Sequence, residues 1–264
     1  MSRTDLRILT FNVLSPDHAD WPARRPVIQA GIDALDPDVI ALQEDTGFLD
    51  TSFAVARHSR PSPDGVGAAL YSRWPITDVR ECDLRVTGRV DLPWAAAVAA
   101  EIDAPFGPLL VVHHKPTWQF GYALERERQA VACARFVEEA VAGRDLHVVL
   151  AGDFDDPPDA ASVRFWTGKQ SLDGFSVAYQ DAWSGPEQHT FTPENPLVRA
   201  GQMPLDRGRR IDHVMVRCGP HGPTLEVTGC RRCFDHPVGG VWPSDHFGVV
   251  ADLAVPVHRP GEWA

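Results

Sequence analysis

The feature that most constrains this chain is a recurring junction: an apolar run of strand length that stops on a polar cluster. Five of these junctions are Phe11-Asn12, Gln43-Glu44, His113-His114, Gly152-Asp153-Phe154-Asp155 and Ser244-Asp245-His246-Phe247, with Arg210-Ile211-Asp212-His213 a little upstream of the last. Runs this short, bounded by turn residues, read as strands rather than helices. The apolar spacing becomes helical over residues 24–35, in Val27, Ile28, Ile32 and Leu35, and over residues 122–142, which Gly143 ends. Residues 159–167 read as a short helix. Strands are expected at 6–13, 38–44, 53–55, 67–72, 79–86, 146–152, 211–217, 224–230 and 247–255. A hairpin is expected from 95–102 and 108–114. Residues 184–209, polar and rich in Pro and Gly, read as a long surface loop, the kind that often carries function. A strand-heavy order with few helices predicts an α/β protein of two mixed sheets packed together, helices outside.

Alternation decides which side chains share a face. Ile8, Thr10 and Asn12 form one set, Ile40, Leu42 and Glu44 another, then Leu110, Val112 and His114, then Val149, Ala151, Asp153 and Asp155. Each apolar series ends in a polar residue on its own face. If the strand ends converge, those residues meet. Asn, Glu, Asp and His gathered in this way suit a divalent-metal phosphoester hydrolase.

With 264 residues, 44% of them hydrophobic, the chain can bury a substantial core, and a single domain over 1–264 is expected. The formal net charge of -11 disfavours a non-specific nucleic-acid binder, because phosphate backbones reward clustered cations. The cations are nearly all Arg, the lysines being Lys115 and Lys169 alone. Five scattered cysteines suggest no disulfide framework, and the lone Cys230-Arg-Arg-Cys233 lacks a second pair for a zinc site. The start, Met1 to Leu6, shows no secretory pattern, and no apolar run reaches the ~18 residues of a membrane span, so the cytoplasm is the expected location. Nothing in the sequence calls for an obligate protein partner.

Taken in order, Asn12, Gln43-Glu44, His114, Gly152-Asp153-Phe154-Asp155, Arg210-Ile211-Asp212 and Ser244-Asp245-His246 resemble the motifs of the endonuclease/exonuclease/phosphatase superfamily, over about residues 5 to 253. The resemblance implies a four-layer α/β sandwich, its two mixed β-sheets packed face to face. It also implies a Mg²⁺- or Mn²⁺-dependent in-line attack of water on phosphorus. By the same resemblance Asn12, Glu44 and Asp245 match the metal environment, and hard oxygen ligands suit such ions. His246 matches the base or phosphate contact, Asp212 the carboxylate that orients it, His114 a second His donating to phosphoryl oxygens, and Asp153 the residue that positions water.

Two departures stand out. The family's usual Gly-Asp-Phe-Asn reads Gly-Asp-Phe-Asp here, and an ionised Asp155 cannot donate as Asn would. Asp153 and Asp155 on one face repel unless they share a proton or bind a cation. The other departure is His113-His114-Lys115: alternation favours His114, and His113 stays a competitor. Arg126 and Arg128, with Gln129, open the long helix and read as a phosphate clamp or as a solvated face. Trp118, Tyr122, Phe191 and Trp166 read as stacking groups or as core, and His18 and His189 as loop residues that contact substrate or nothing at all. The expectation is a Mg²⁺-dependent phosphoesterase that hydrolyses a phosphodiester or phosphomonoester, its substrate a phosphorylated small molecule or nucleic acid. A DNA or RNA nuclease is the alternative, and a phospholigand-binding module without turnover is the non-enzymatic one.

Overall fold

The structure, a computed structural model, describes residues 5–92 and 95–257. The reading of the extreme N-terminus as leaderless rests partly on residues 1–4, which lie outside the described residues. In chain order the elements are β1 (Leu6–Asn12), α1 (Trp21–Leu35), β2 (Val39–Asp45), β3 (Ala54–Arg57), β4 (Gly67–Ser72), β5 (Ile76–Asp83), β6 (Ala96–Ala104), β7 (Gly107–Lys115), α2 (Ala123–Val141), β8 (His147–Asp153), α3 (Ala161–Trp166), β9 (Tyr179–Asp181), α4 (Pro196–Ala200), β10 (Asp212–Gly219), β11 (Gly222–Pro223), β12 (Glu226–Cys233) and β13 (Gly248–Ala254). The expected long loop at 184–209 thus contains one short helix.

Two mixed sheets result. One has the order β12-β13-β1-β2-β4-β3, the other β11-β10-β8-β7-β6-β5, with β9 pairing β10. Each sheet holds one parallel pair joined through a helix, β1–α1–β2 and β7–α2–β8. Parallel neighbours need such a crossover, since no tight turn can link them. α1 begins where Asp20 accepts a hydrogen bond from Ala23 N, and it ends at Asp36 in the left-handed conformation.

The faces follow strand alternation. Leu6, Ile8, Val39, Ala41, Leu109, Val111, Val149, Ala151, Val214 and Val216 meet in the layer between the sheets. On the outside of the six-stranded sheet, Leu9, Phe11, Ile40 and Leu42 pack against Ile28 and Ile32 of α1. On the outside of the other, Leu110, Val112, Val148 and Leu150 pack against Ala130, Ala134 and Val137 of α2 and Phe165 and Trp166 of α3. Helix, sheet, sheet and helix are therefore stacked as the sandwich expected above. At 0 to 5% exposure, these residues leave little apolar surface uncovered in the three layers. β1, β2, β7 and β8 all run toward the same edge of the sandwich, and the carboxyl ends of parallel strands are where open α/β sheets place their ligands. Among the described residues no helix is long and apolar enough to cross a membrane.

Candidate active site

At that edge a cleft of about 650 Å³ opens, lined on one side by Asn12, Glu44, Lys115, Asp153, Asp155, Asp245 and His246. The rest of the lining forms a mostly apolar wall that includes Trp118, Phe191, Leu197, Val198 and Met203, with the Phe191 ring 5.0 Å from that of His246. The six-stranded sheet and the loop leading into it supply Asn12, Glu44, Asp245 and His246, and the seven-stranded sheet supplies Lys115, Asp153, Asp155 and Asp212. β10 starts opposite the end of β8, with Asp212 paired to Asp153.

Asn12 sits at the centre. Its Nδ2 donates to Glu44 Oε1 (3.0 Å) and to Asp153 Oδ2 (3.1 Å), and its Oδ1 accepts from Leu14 N at 3.0 Å. Glu44 is turned inward by a β-bulge. On β2 the inter-sheet positions are Val39, Ala41 and Gln43, so simple alternation would send Glu44 outward toward α1. The register with β4 shifts between Leu42 and Asp45, and Glu44 adopts φ 58°. Such a bulge re-aims a side chain beside a site. Glu44 Oε2 then accepts from Ser15 N at 2.7 Å, while Asp45 binds Arg57 and Tyr71 instead.

His246 Nδ1 donates to Asp212 Oδ2 at 3.0 Å, which leaves Nε2 in the cleft, 3.9 Å from Asp153 Oδ2. Burial pulls the ring's pKa down, but Asp212 and then Asp153 outweigh it and raise it to about 10. Ser244 Oγ ties the segment down by donating to Asn12 O at 2.7 Å, and it also accepts from His246 N at 3.2 Å. Thr190 Oγ1 accepts from both Ile211 N and Asp212 N, fixing the far partner.

The position expected for His114 is a correction. On β7 the odd residues Leu109 and Val111 face the other sheet and the even residues face α2, so His113 and Lys115 point toward the cleft edge and His114 away from it. His114 packs edge-on against Phe154 and Trp166, and burial lowers its pKa to about 3. His113 lies deeper, its Nε2 accepting from Gln43 Nε2 at 2.8 Å, and does not line the cleft. The strand delivers Lys115 instead. Its Nζ donates to Asp153 Oδ2 at 2.7 Å and to Asp155 Oδ2 at 2.5 Å. Burial opposes charge on all three. The ammonium nonetheless stays charged beside its carboxylates and holds Asp153 below the usual range, whereas burial and Asp153 together push Asp155 up to about 7.

The substrate-side expectations separate in the same way. Trp118 lines the cleft. Arg126 does not: its guanidinium is buried, 2.7 Å from Asp156, and donates to Gln119 O. With Gln129, which accepts from Thr117 N, it pins the loop after β7 rather than clamping phosphate. Arg128 is exposed on the solvent face of α2, and the Tyr122 ring lies under Arg89, 4.1 Å from its guanidinium carbon. Trp166 is core, Phe191 and His18 line the cleft, and His189 does not.

Two positioning residues escaped the sequence reading. Arg24 is buried, and its guanidinium donates to the carbonyls of Val13, Leu14, Ser15, His18 and Pro243 at 2.7–3.2 Å. It thereby joins the loop after β1 to the loop carrying Asp245. Its signal was a charge on the buried stripe Arg24-Ile28-Ile32 of α1. Asn195 caps α4 through Leu197 N, and its Nδ2 donates to Ser244 O (2.7 Å) and Asp245 O (3.1 Å), tying the apolar wall to the acidic side.

Two groups of donors fit a cation differently. Asp153, Asp212 and His246 each bring one atom within 4.8 Å of the others. Yet the His246–Asp212 contact is a hydrogen bond, and Asp153 already accepts from Asn12, Lys115 and Asp155 N. Glu44 and Asp245 are the second group, both lining the cleft, and Glu44 Oε1 and Oε2 accept from Asn12 and Ser15 N. Burial raises the Asp245 pKa, His246 opposes it and Glu44 adds to it, a repulsion that a hard divalent ion held by the two carboxylates would relieve.

The chain is similar to known proteins in sequence pattern and in fold. A sequence model described as "Endonuclease/Exonuclease/phosphatase family" matches residues 9–246. A search of curated proteins finds no match. Among solved structures, a humanized D. rerio TDP2 is similar at 17% identity over 95% of this chain and 99% of that one, with a TM-score of 0.72. The human Nocturnin catalytic domain with bound sulfate is similar at 18% identity over 95% and 94%, with a TM-score of 0.68. An endonuclease/exonuclease/phosphatase from Bacteroides vulgatus is similar at 18% identity over 96% and 100%, with a TM-score of 0.72.

Proposed function

Because the chain belongs to the endonuclease/exonuclease/phosphatase family, whose members hydrolyse phosphoester bonds, we propose that the cleft is the active site of a Mg²⁺-dependent phosphoesterase that cleaves a small phosphodiester or phosphomonoester. The observation that carries this reading is the His246–Asp212 hydrogen bond at 3.0 Å in a cleft that Glu44 and Asp245 also line. A mere binding pocket has no need of an oriented imidazole with its second nitrogen in the cleft. A divalent ion bound at Glu44 and Asp245 would supply charge stabilisation at a phosphoryl oxygen.

The chain's own groups do the rest. Asp212 fixes the tautomer and plane of His246, so Nε2–H donates to the oxygen on which negative charge grows. Asp153, held as an anion, accepts a hydrogen bond from the attacking water and orients it. The water oxygen forms the new bond to phosphorus as the ester P–O bond breaks, and the water's proton is passed on to the departing oxygen. Asn12 keeps Glu44 and Asp153 in register throughout.

The charge of the cleft argues for a small substrate. Its lining holds Asp17, Glu44, Asp64, Asp153, Asp155 and Asp245 against Lys115, Arg209 and the protonated His246. A long polyanion crossing that rim would meet repulsion. A nuclease remains the second reading on one specific observation: Trp118 and Phe191 line the cleft, and such rings stack on bases. One of the similar structures is D. rerio TDP2 complexed with single strand DNA product.

The test is a panel of bis-p-nitrophenyl phosphate, p-nitrophenyl phosphate, nucleotides and single-stranded oligonucleotide, with Mg²⁺ or Mn²⁺. Turnover should stop with EDTA, and Glu44→Ala and His246→Ala should each lose at least ~10²-fold in kcat. Silence of the wild type over the whole panel, or full activity in EDTA, would end the reading.

A further inference from the structure

Asp153 and Asp155 present two buried carboxylates to one side of the cleft, at 0% and 7% exposure. Two such anions cannot remain adjacent without a shared proton or a cation. A second divalent ion is one solution. The chain offers another, for Lys115 Nζ lies 2.7 Å from Asp153 Oδ2 and 2.5 Å from Asp155 Oδ2. We propose that the Lys115 ammonium is a built-in cation standing where a second metal would bind, so that the site takes a single divalent ion at Glu44 and Asp245.

Three observations support this. The first is shape. An ammonium is a compact point charge that can bridge two carboxylates, whereas guanidinium is a planar fork. The chain has only Lys115 and Lys169 as lysines and uses Arg elsewhere, including the buried Arg24 and Arg126. The second is position. Lys115 is the last residue of β7, on its inter-sheet face, and lines the same cleft wall as Asp153, Asp155 and His246. The third is space. With both near oxygens at hydrogen-bond distance from Nζ, an additional metal on this carboxylate pair would have to displace the side chain. The inference rests on the metal-dependent reading above and adds how many ions are taken and what replaces the second.

The experiment counts bound Mn²⁺ by electron paramagnetic resonance and by calorimetry, and it needs no substrate. Wild type should bind one Mn²⁺ per chain. K115A, whose carboxylate pair is left without its cation, should bind two. K115A/D155N, with the pair reduced to a single carboxylate, should return to one. In turnover, K115A should lose ~10²–10³-fold at metal concentrations that saturate the wild type. It should recover in part with added methylammonium or at higher Mn²⁺, where its metal dependence becomes sigmoidal. Two ions on the wild type overturn the proposal even if K115A fails to fold. One ion on both wild type and folded K115A also overturns it. No ion on any of the proteins would overturn the metal-dependent reading beneath it, and this one with it.

Discussion

Arg24→Met should loosen the site from beneath. The substitution keeps the apolar stem of the side chain and removes a guanidinium that reaches five main-chain carbonyls. The bonds to Val13 O, Ser15 O and Pro243 O are buried, and those to Leu14 O and His18 O lie nearer water. A buried acceptor left without its donor costs about 1–3 kcal/mol. Three of them, partly offset by no longer burying a charge, give a loss of about 3–5 kcal/mol. Urea unfolding followed by tryptophan fluorescence would measure it. The same change frees the loop whose Ser15 N holds Glu44 and the loop that carries Asp245. Affinity for Mn²⁺ should therefore fall about 10–100-fold, the usual effect of removing support behind a ligand. A variant that unfolds within about 1 kcal/mol of wild type and binds Mn²⁺ equally well would refute the view that Arg24 joins the two loops.

Two further outcomes follow from the packing. Burial, with smaller help from neighbouring cations, lowers both His113 and His114 to about 3, so each ring is neutral in the folded chain while the unfolded chain takes up protons below about 6.5. Their stability contribution is complete above that pH and declines as pH falls, by up to about 1.4 kcal/mol per pH unit for each ring. Asp155, pushed up to about 7, acts with the opposite sign in part of that window, so the diagnostic is a difference. His114→Leu should flatten the pH dependence of urea stability between pH 6.5 and 5 by about one ring's share, and an unchanged slope contradicts the argument. Gly152→Ala would place a Cβ 2.0 Å from the backbone oxygen of His114 in β7. Backbone cannot step aside as a side-chain tip can, so the thermal midpoint should drop by about 10 °C or more. Gly121→Ala, whose Cβ meets nothing within 4 Å, is the control. Equal midpoints for the two variants would show that β7 and β8 separate more easily than their packing implies.

Strand ends were legible because a period of two and a terminal polar residue are local signals. Asn12, Asp153 and Asp212 could be placed from them, and so could the two crossover helices. The inward face of each strand could not be read, because that depends on how the sheets meet. For β7 the wrong face was preferred, which put His114 where Lys115 stands. Glu44 was selected on the same logic, and its inward direction comes from a bulge that alternation does not contain. Arg126 looked like a phosphate clamp because the partner that buries it, Asp156, is 30 positions away. Asn195 was hidden in a stretch read as loop, where its bonds to Ser244 O and Asp245 O have no sequence signature.

The division of the site between two sheets has a consequence for how the protein matures. Neither βαβ half owns a full set of groups: the six-stranded half holds the proposed ion-binding carboxylates and the imidazole, and the other half holds the ammonium and the aspartate that anchors that imidazole. Competence should thus arise late, only after the two halves have closed on each other, and a nascent chain with one half assembled should have no hydrolytic power to release.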